Sequence, residues 1–295
     1  DLHLGSATIE GGTPVASNIV QGYECVSTGT QDMPPSWMNN TDPNADFDTQ
    51  GRVYQATLPF NPVPVATAQL IPGCCLPNTT FRDGILEHFA ASPTHPGHAY
   101  VTWEQWDGTQ MDVMFSQSTD GGTSWSAPTT VNDNSDGPTP TDQFQPSVAA
   151  GPDGAVAVAF YDRRAPCPDD PAIVPDHVGR TNFCIDVSLQ AFRDDGAGAV
   201  PVGNNVRITE DTWDPEQPAQ TIDGIDQMAC AAHQDPCTEN AFIGDYFGLA
   251  ISEENVYALF VSTHDQSSVV GDGGEPVHYQ QQILATVARS DLGMA

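Results

Sequence analysis

The sequence predicts an all-β chain of short antiparallel strands gathered in fours. Three observations carry that prediction: a turn-rich composition, a recurring hairpin and one turn motif. The 295 residues include 26 glycines and 25 prolines. Val, Thr, Tyr and Phe fall in short stretches bounded by turn residues, the pattern of many short strands. Long runs of Ala, Leu, Glu and Lys are missing, so almost no helix is expected.

The hairpin recurs at residues 44–58, 88–103, 146–160 and 246–260. Each copy reads as a strand, a tight turn carrying Gly, Pro or Asp, and a second strand with Val or Ala before further apolar residues. After the second and third copies comes a third strand, Met111–Ser118 and Cys184–Phe192, and then a fourth, near Thr129–Asn132 and Val206–Thr209. Four antiparallel strands per repeat make a propeller blade.

The third element is Ser118-Thr119-Asp120-Gly121-Gly122-Thr123-Ser124-Trp125, in the turn between the third and fourth strands of the second repeat. Asp120 is suited to accept hydrogen bonds from the turn's own amides, with Ser118 at its start, Gly122 permits a positive φ, and Trp125 covers the blade. A degenerate copy, Arg193-Asp194-Asp195-Gly196, follows in the next repeat.

On these residues, and on Gln145–Ala149 leading to Phe160–Arg164 and Phe242–Ala250, residues 84–290 resemble the sialidase-like superfamily of Asp-box propellers, with bacterial neuraminidase repeats. Most such propellers have six blades. The resemblance therefore implies a single domain over 1–295, six-bladed or a fragment of one, with recognisable blades over 42–290 and divergent strands or a truncated blade over 1–40.

Charge narrows the function. Eight Lys plus Arg stand against 39 Asp plus Glu, a formal net charge of −31, and every one of the eight cations is arginine. Nucleic acid and anionic membrane surfaces are poor partners for such a chain. A solvated surface on an extracellular protein accounts for the excess. No stretch has the length of a membrane-spanning helix, and Asp1-Leu2-His3 reads as a mature or trimmed terminus.

Seven cysteines without a C-x-x-C pattern point to disulfides. Cys167 and Cys184 bracket a proline-rich excursion, and Cys230 and Cys237 a short loop. Cys25 is expected to pair with Cys74 or Cys75. One thiol is then left over, free or bonded to a partner outside the chain.

In a propeller the starts of the first strands and the ends of the second strands share one rim. That geometry gathers Asp42, Glu87, His88, Gln145, Asp245 and Tyr246 with Glu104, Tyr161, Asp162, Arg163, Arg164, His264 and Asp265. Paired carboxylates beside a tyrosine are the apparatus of glycosidic chemistry. Trp106 adds a ring for stacking on sugar.

The resemblance implies a tyrosine nucleophile (Tyr246 or Tyr161), a glutamate beside it (Glu104 or Glu87), an aspartate acid (Asp162 or Asp245) and an anion clamp containing Arg163 and Arg164. The Arg-Ile-Pro motif of true sialidases is absent. The expectation is a secreted glycan-binding or scaffold propeller without sialidase activity, the alternative being a glycoside hydrolase or polysaccharide lyase. Acidic clusters at Asp42, Asp46 and Asp48, and at Asp133 and Asp136, suggest calcium.

Overall fold

The computed structural model describes residues 4–10, 13–20, 40–47, 53–59, 65–66, 68–69, 71, 75–79, 81, 83, 87–134, 139–216, 221–226, 243–244, 246–278 and 280–294. Contacts divide the chain into two compact units, Asp1–Pro43 with Thr57–Pro64, and Asn44–Ala56 with Val65–Ala295. Among the described residues there is no α-helix. Towards the N-terminus, β1 (Leu4–Glu10) pairs with β2 (Thr13–Val20), and β3 (Asn40–Phe47) with β4 (Val53–Pro59).

Two complete blades follow. The first is β5 (His88–Ala91), β6 (Ala99–Trp106), β7 (Met111–Ser118) and β8 (Thr129–Thr130). The second is β9 (Gln143–Ala150), β10 (Ala155–Asp162), β11 (Asp186–Asp194) and β12 (Ala199–Arg207). Every neighbouring pair in both sheets is antiparallel. The small hairpin β13 (Thr221–Ile222) with β14 (Ile225–Asp226) comes next.

A third sheet joins β15 (Gly248–Ile251), β16 (Asn255–Ser262) and β19 (Gln281–Ala288). The excursion between its last two strands carries the hairpin β17 (Gln266–Val270) and β18 (Pro276–His278). The chain is therefore all-β and built of propeller-type blades, as its repeats predict.

The second blade is apolar on both faces because it is covered on both. Along β10, Val156, Val158 and Phe160 join a cluster with Tyr100, Val113 and Phe115 of the first blade. The alternate residues Ala155, Ala157, Ala159 and Tyr161 join Phe247, Val256, Ala258 and Phe260 of the third sheet. An Ala-Val alternation thus sets a bulky face towards one neighbour and a small face towards the other. The Phe115 and Phe192 rings stack with centroids 4.8 Å apart across the first contact. The innermost strand β9 lies between β5 and β6 on one side and β15 on the other.

The two Asp-containing turns differ in what they hold. In the first, Asp120 accepts from the Ser124 amide (2.9 Å), the Ser124 hydroxyl (2.6 Å) and the Ser118 hydroxyl (2.9 Å). These bonds lower its pKa to about 2. Gly122 sits at φ +84 and Trp125 packs on the outer core cluster. In the second, Asp194 Oδ1 accepts from the amides of Gly196 (2.8 Å) and Gly198 (3.1 Å). Its Oδ2 reaches across to the first blade, to the Tyr100 hydroxyl at 2.7 Å and His98 Nδ1 at 2.6 Å. This turn closes within five residues, so β12 starts at Ala199 rather than near Val206.

Candidate functional site

The rim residues fall into two groups, one around Arg163 and Arg164 and one around Glu104 and Gln145. Arg163 follows β10 directly, and its side chain is wholly buried. It pairs with Asp142 at 3.1 Å and donates to the carbonyls of Pro77 (2.8 Å), Asn78 (3.3 Å) and Asn182 (2.5 Å). Burial pushes the Arg163 guanidinium down to about 10, against the pull of Asp142. It ties the segment at 77–78 to the second blade, and its remaining donor, Nε, is buried rather than presented to a substrate anion.

Arg164 points to the other side, as alternation requires. It pairs with Asp162 at 2.6 Å and with Asp133. Asp162 is buried and also accepts from Gln143 Nε2 (3.0 Å), the Ser188 hydroxyl (2.6 Å) and the Arg164 amide (3.1 Å). Both of its oxygens are thus engaged inside the fold.

Tyr161 is buried among Phe144, Trp213 and Phe247, and its hydroxyl accepts from the Val261 amide at 2.9 Å. Burial raises its pKa further. Trp106 is likewise a core residue. Of the residues expected to contact substrate, Arg163, Tyr161 and Trp106 thus lie in the interior, and Arg164 is paired with Asp162, the expected acid. The sequence suggested a charged loop, but these charges satisfy one another inside the fold.

The second group is built on a bulge. Ala159 pairs with Ser147 but Tyr161 with Phe144, so Gln145 and Pro146 together face Phe160. Pro146 has no amide to give the ladder, and Gln145 adopts the left-handed region at φ +45. The Gln145 amide is thereby released from β10 and donates to Glu104 Oε1 at 2.6 Å. Its side-chain Nε2 donates to the Gly244 carbonyl at 2.8 Å. Glu104 near the end of β6, Gln145 on β9 and Gly244 ahead of β15 thus bring three sheets to one place.

Glu104 has no exposed surface. Burial, together with the charge and a side-chain hydrogen bond of the neighbouring Asp83, raises its carboxyl well above the ordinary value of 4.5, although the Gln145 amide opposes this. Glu104 therefore holds its proton more tightly than an ordinary glutamic acid. Asp83 is itself buried. Glu87 and His88 flank the start of β5, where the Val148 amide donates to His88 Nδ1 at 3.4 Å. Tyr246, two residues beyond Gly244, is 67% exposed.

Sequence reading singled out Glu104 but passed over Asp83, which stands in the unremarkable string Phe81-Arg82-Asp83-Gly84. The bulge gives no signal beyond a residue before proline.

Asp245, Asp48, Asp136, Cys25, Cys74, Cys230 and Cys237 lie outside the described residues, as do the side chains of Asp42 and Asp46 on β3. Asp133, expected to bind calcium, has its carboxylate facing Arg164 and the Asn205 amide (3.0 Å). Cys167 and Cys184 form a disulfide, and Cys75 is also disulfide-bonded. No helix among the described residues is long and apolar enough to cross a membrane.

No family model and no curated protein matches the chain. Among solved structures it is similar to the α-L-arabinofuranosidase PaAbf62A from Podospora anserina in complex with cellotriose, at 11% identity and TM-score 0.29, over 68% of this chain and 52% of that one. It is similar too to the catalytic domain of the Coprinopsis cinerea GH62 α-L-arabinofuranosidase, at 11% identity and TM-score 0.30, over 71% and 55%. A third is an RGII complex of BT0996, at 12% identity and TM-score 0.25, over 69% and 68%. The chain spans about half the length of the first two structures. At such identities its activity has to be read from its own residues.

Proposed function

We propose that this chain is an extracellular hydrolase of glycosidic bonds whose acid–base pair is Glu104 and Asp83. The observation that carries the reading is a fully buried carboxyl, held by the Gln145 amide beside Asp83, where three blade edges meet. Environments that split two carboxyls into acid and base are the hallmark of such sites.

Glu104 gives its proton to the glycosidic oxygen as the C–O bond breaks. Asp83 takes a proton from the water that adds to the sugar carbon. The hydrogen bond between them returns that proton to Glu104, so one water is consumed and the pair is restored. Gln145 positions the acid, and the exposed ring of Tyr246 offers a stacking face at the open side. The Cys167–Cys184 disulfide and the acidic composition support an oxidising, extracellular setting.

A second reading, a glycan-binding or scaffold propeller without turnover, is favoured by the complete burial of Glu104 and by the self-paired half of the rim. One experiment separates the two: a screen of neutral, acidic and amino-sugar polysaccharides with wild type and Glu104→Gln. The hydrolase reading expects reducing ends from at least one polysaccharide, lost in the variant although its melting temperature is no lower than that of wild type. Glycan binding without release of reducing ends would establish the scaffold instead.

A further inference from the structure

The acid half of the rim contains an acceptor that the protein does not satisfy. Gln145 is 3% exposed and its Oε1 has no hydrogen-bond partner among the described residues. The orientation of the amide is fixed, because Nε2 donates to the Gly244 carbonyl and a flip would set oxygen against oxygen. A buried acceptor in this state calls for a donor from outside the protein. Among the described residues no three His, Cys, Asp or Glu side chains are grouped to hold a metal ion, so a cation cage is the weaker account.

Among the described residues the carboxylates around this acceptor are of one sign. Glu104 and Asp83 adjoin it and the chain has no lysine. Of the described arginines, Arg163, Arg164, Arg193 and Arg207 are paired with carboxylates, Arg180 lies over the Phe183 ring, and Arg289 donates to backbone carbonyls. A sugar carboxylate entering here meets an oxygen acceptor and a carboxyl pair inside a field of formal charge −31. An ammonium or hydroxyl group brings the missing donor, and an ammonium also lessens the repulsion.

From this we infer that the site takes glycans rich in free amino sugars, neutral sugars less well, and excludes acidic ones. The inference rests on the Glu104 cluster being the ligand site. The group that meets Gln145 Oε1 is a sugar N–H or O–H donor.

The test is calorimetric titration of the full chain at pH 6 with tetrasaccharides of glucosamine, N-acetylglucosamine and galacturonic acid. The expected order is glucosamine first, N-acetylglucosamine weaker by about tenfold, and galacturonic acid without measurable binding. Raising the salt concentration weakens the first and leaves the second. Gln145→Leu, checked for an unchanged melting temperature, loses about tenfold on the glucosamine chain.

The ranking on the unmodified protein decides the matter even where that variant fails to fold. Galacturonic acid binding as tightly as glucosamine, no binding by any of the three, or a calcium-dependent rise in melting temperature that Gln145→Leu abolishes would each overturn the inference. Turnover of an acidic glycan that depends on Glu104 would overturn it and leave the hydrolase reading standing. Glucosamine binding without turnover of any glycan would do the reverse.

Discussion

Replacing Glu104 by glutamine is expected to stabilise the protein above the ordinary carboxyl range, and the gain should grow with pH. In the unfolded chain Glu104 ionises near its ordinary value of 4.5, whereas in the fold burial and the Asp83 charge keep it protonated well above that. Between those two values the native state holds one proton more than the unfolded state, so stability falls as pH rises. The slope is about 1.4 kcal/mol per pH unit for a single such group.

Glutamine has the shape of the protonated acid. Its oxygen still accepts from the Gln145 amide, its NH2 still donates to Asp83, and it has no proton to lose. Other buried acids, Asp112, Asp142 and Asp186, are shifted upward by burial too, but they are common to both proteins and cancel in the difference. The assay is urea unfolding of wild type and Glu104→Gln at half-unit steps from pH 4 to pH 8, with the stability difference plotted against pH. It should be flat below pH 4.5 and climb by about 1.4 kcal/mol per unit above it. A flat difference throughout would refute a protonated Glu104 and the acid role with it. Asp83→Asn, which removes the charge, should shorten the window over which wild type loses stability.

The adjacent arginines should behave unlike each other. Arg163→Met leaves Asp142 buried and unpaired and should cost about 3–5 kcal/mol, whereas the half-exposed Arg164→Met should cost about 1 kcal/mol, both read by urea unfolding. Two glycines make a second contrast. A Cβ on Gly154 would lie 2.0 Å from the Asp194 carbonyl oxygen, so Gly154→Ala should cost more than about 3 kcal/mol. A Cβ on Gly122 meets nothing within 4 Å, so Gly122→Ala should show only the left-handed penalty of about 1–2 kcal/mol. Serine at both Cys167 and Cys184 should cost about 3 kcal/mol for a link spanning 17 residues, with the increase in hydrogen exchange centred on residues 163–184.

What could be read in advance depended on the range of the forces involved. The hairpins at 88–103 and 146–160 are local and period-two, and the Asp120 turn is closed by residues within it, so both were visible as patterns. The third strand of the last sheet, Gln281–Ala288, escaped the repeat because the excursion carrying β17 and β18 separates it from β16. Tyr161-Asp162-Arg163-Arg164 misled for a different reason. Its polarity suggested the surface, but the partners that permit its burial, Asp142, Asn182 and Pro77, lie up to 86 residues away. Glu104 was recognisable by its place at a strand end. Its acidity was not, since that comes from Asp83 and from a bulge no local pattern announces.

The turn at Asp194 has a consequence for anyone moving blades between propellers. Compared with the Asp120 turn it reads as a worn copy, lacking the serine and the tryptophan. Half of its carboxylate nevertheless belongs to the blade before it, through Tyr100 and His98. A blade transplanted with this turn arrives with a plug whose socket stays behind, and it would have to bring residues 98–100 with it. The departure from the motif records a change of address: a bond that closes a loop at one repeat has become, at the next, the joint between two.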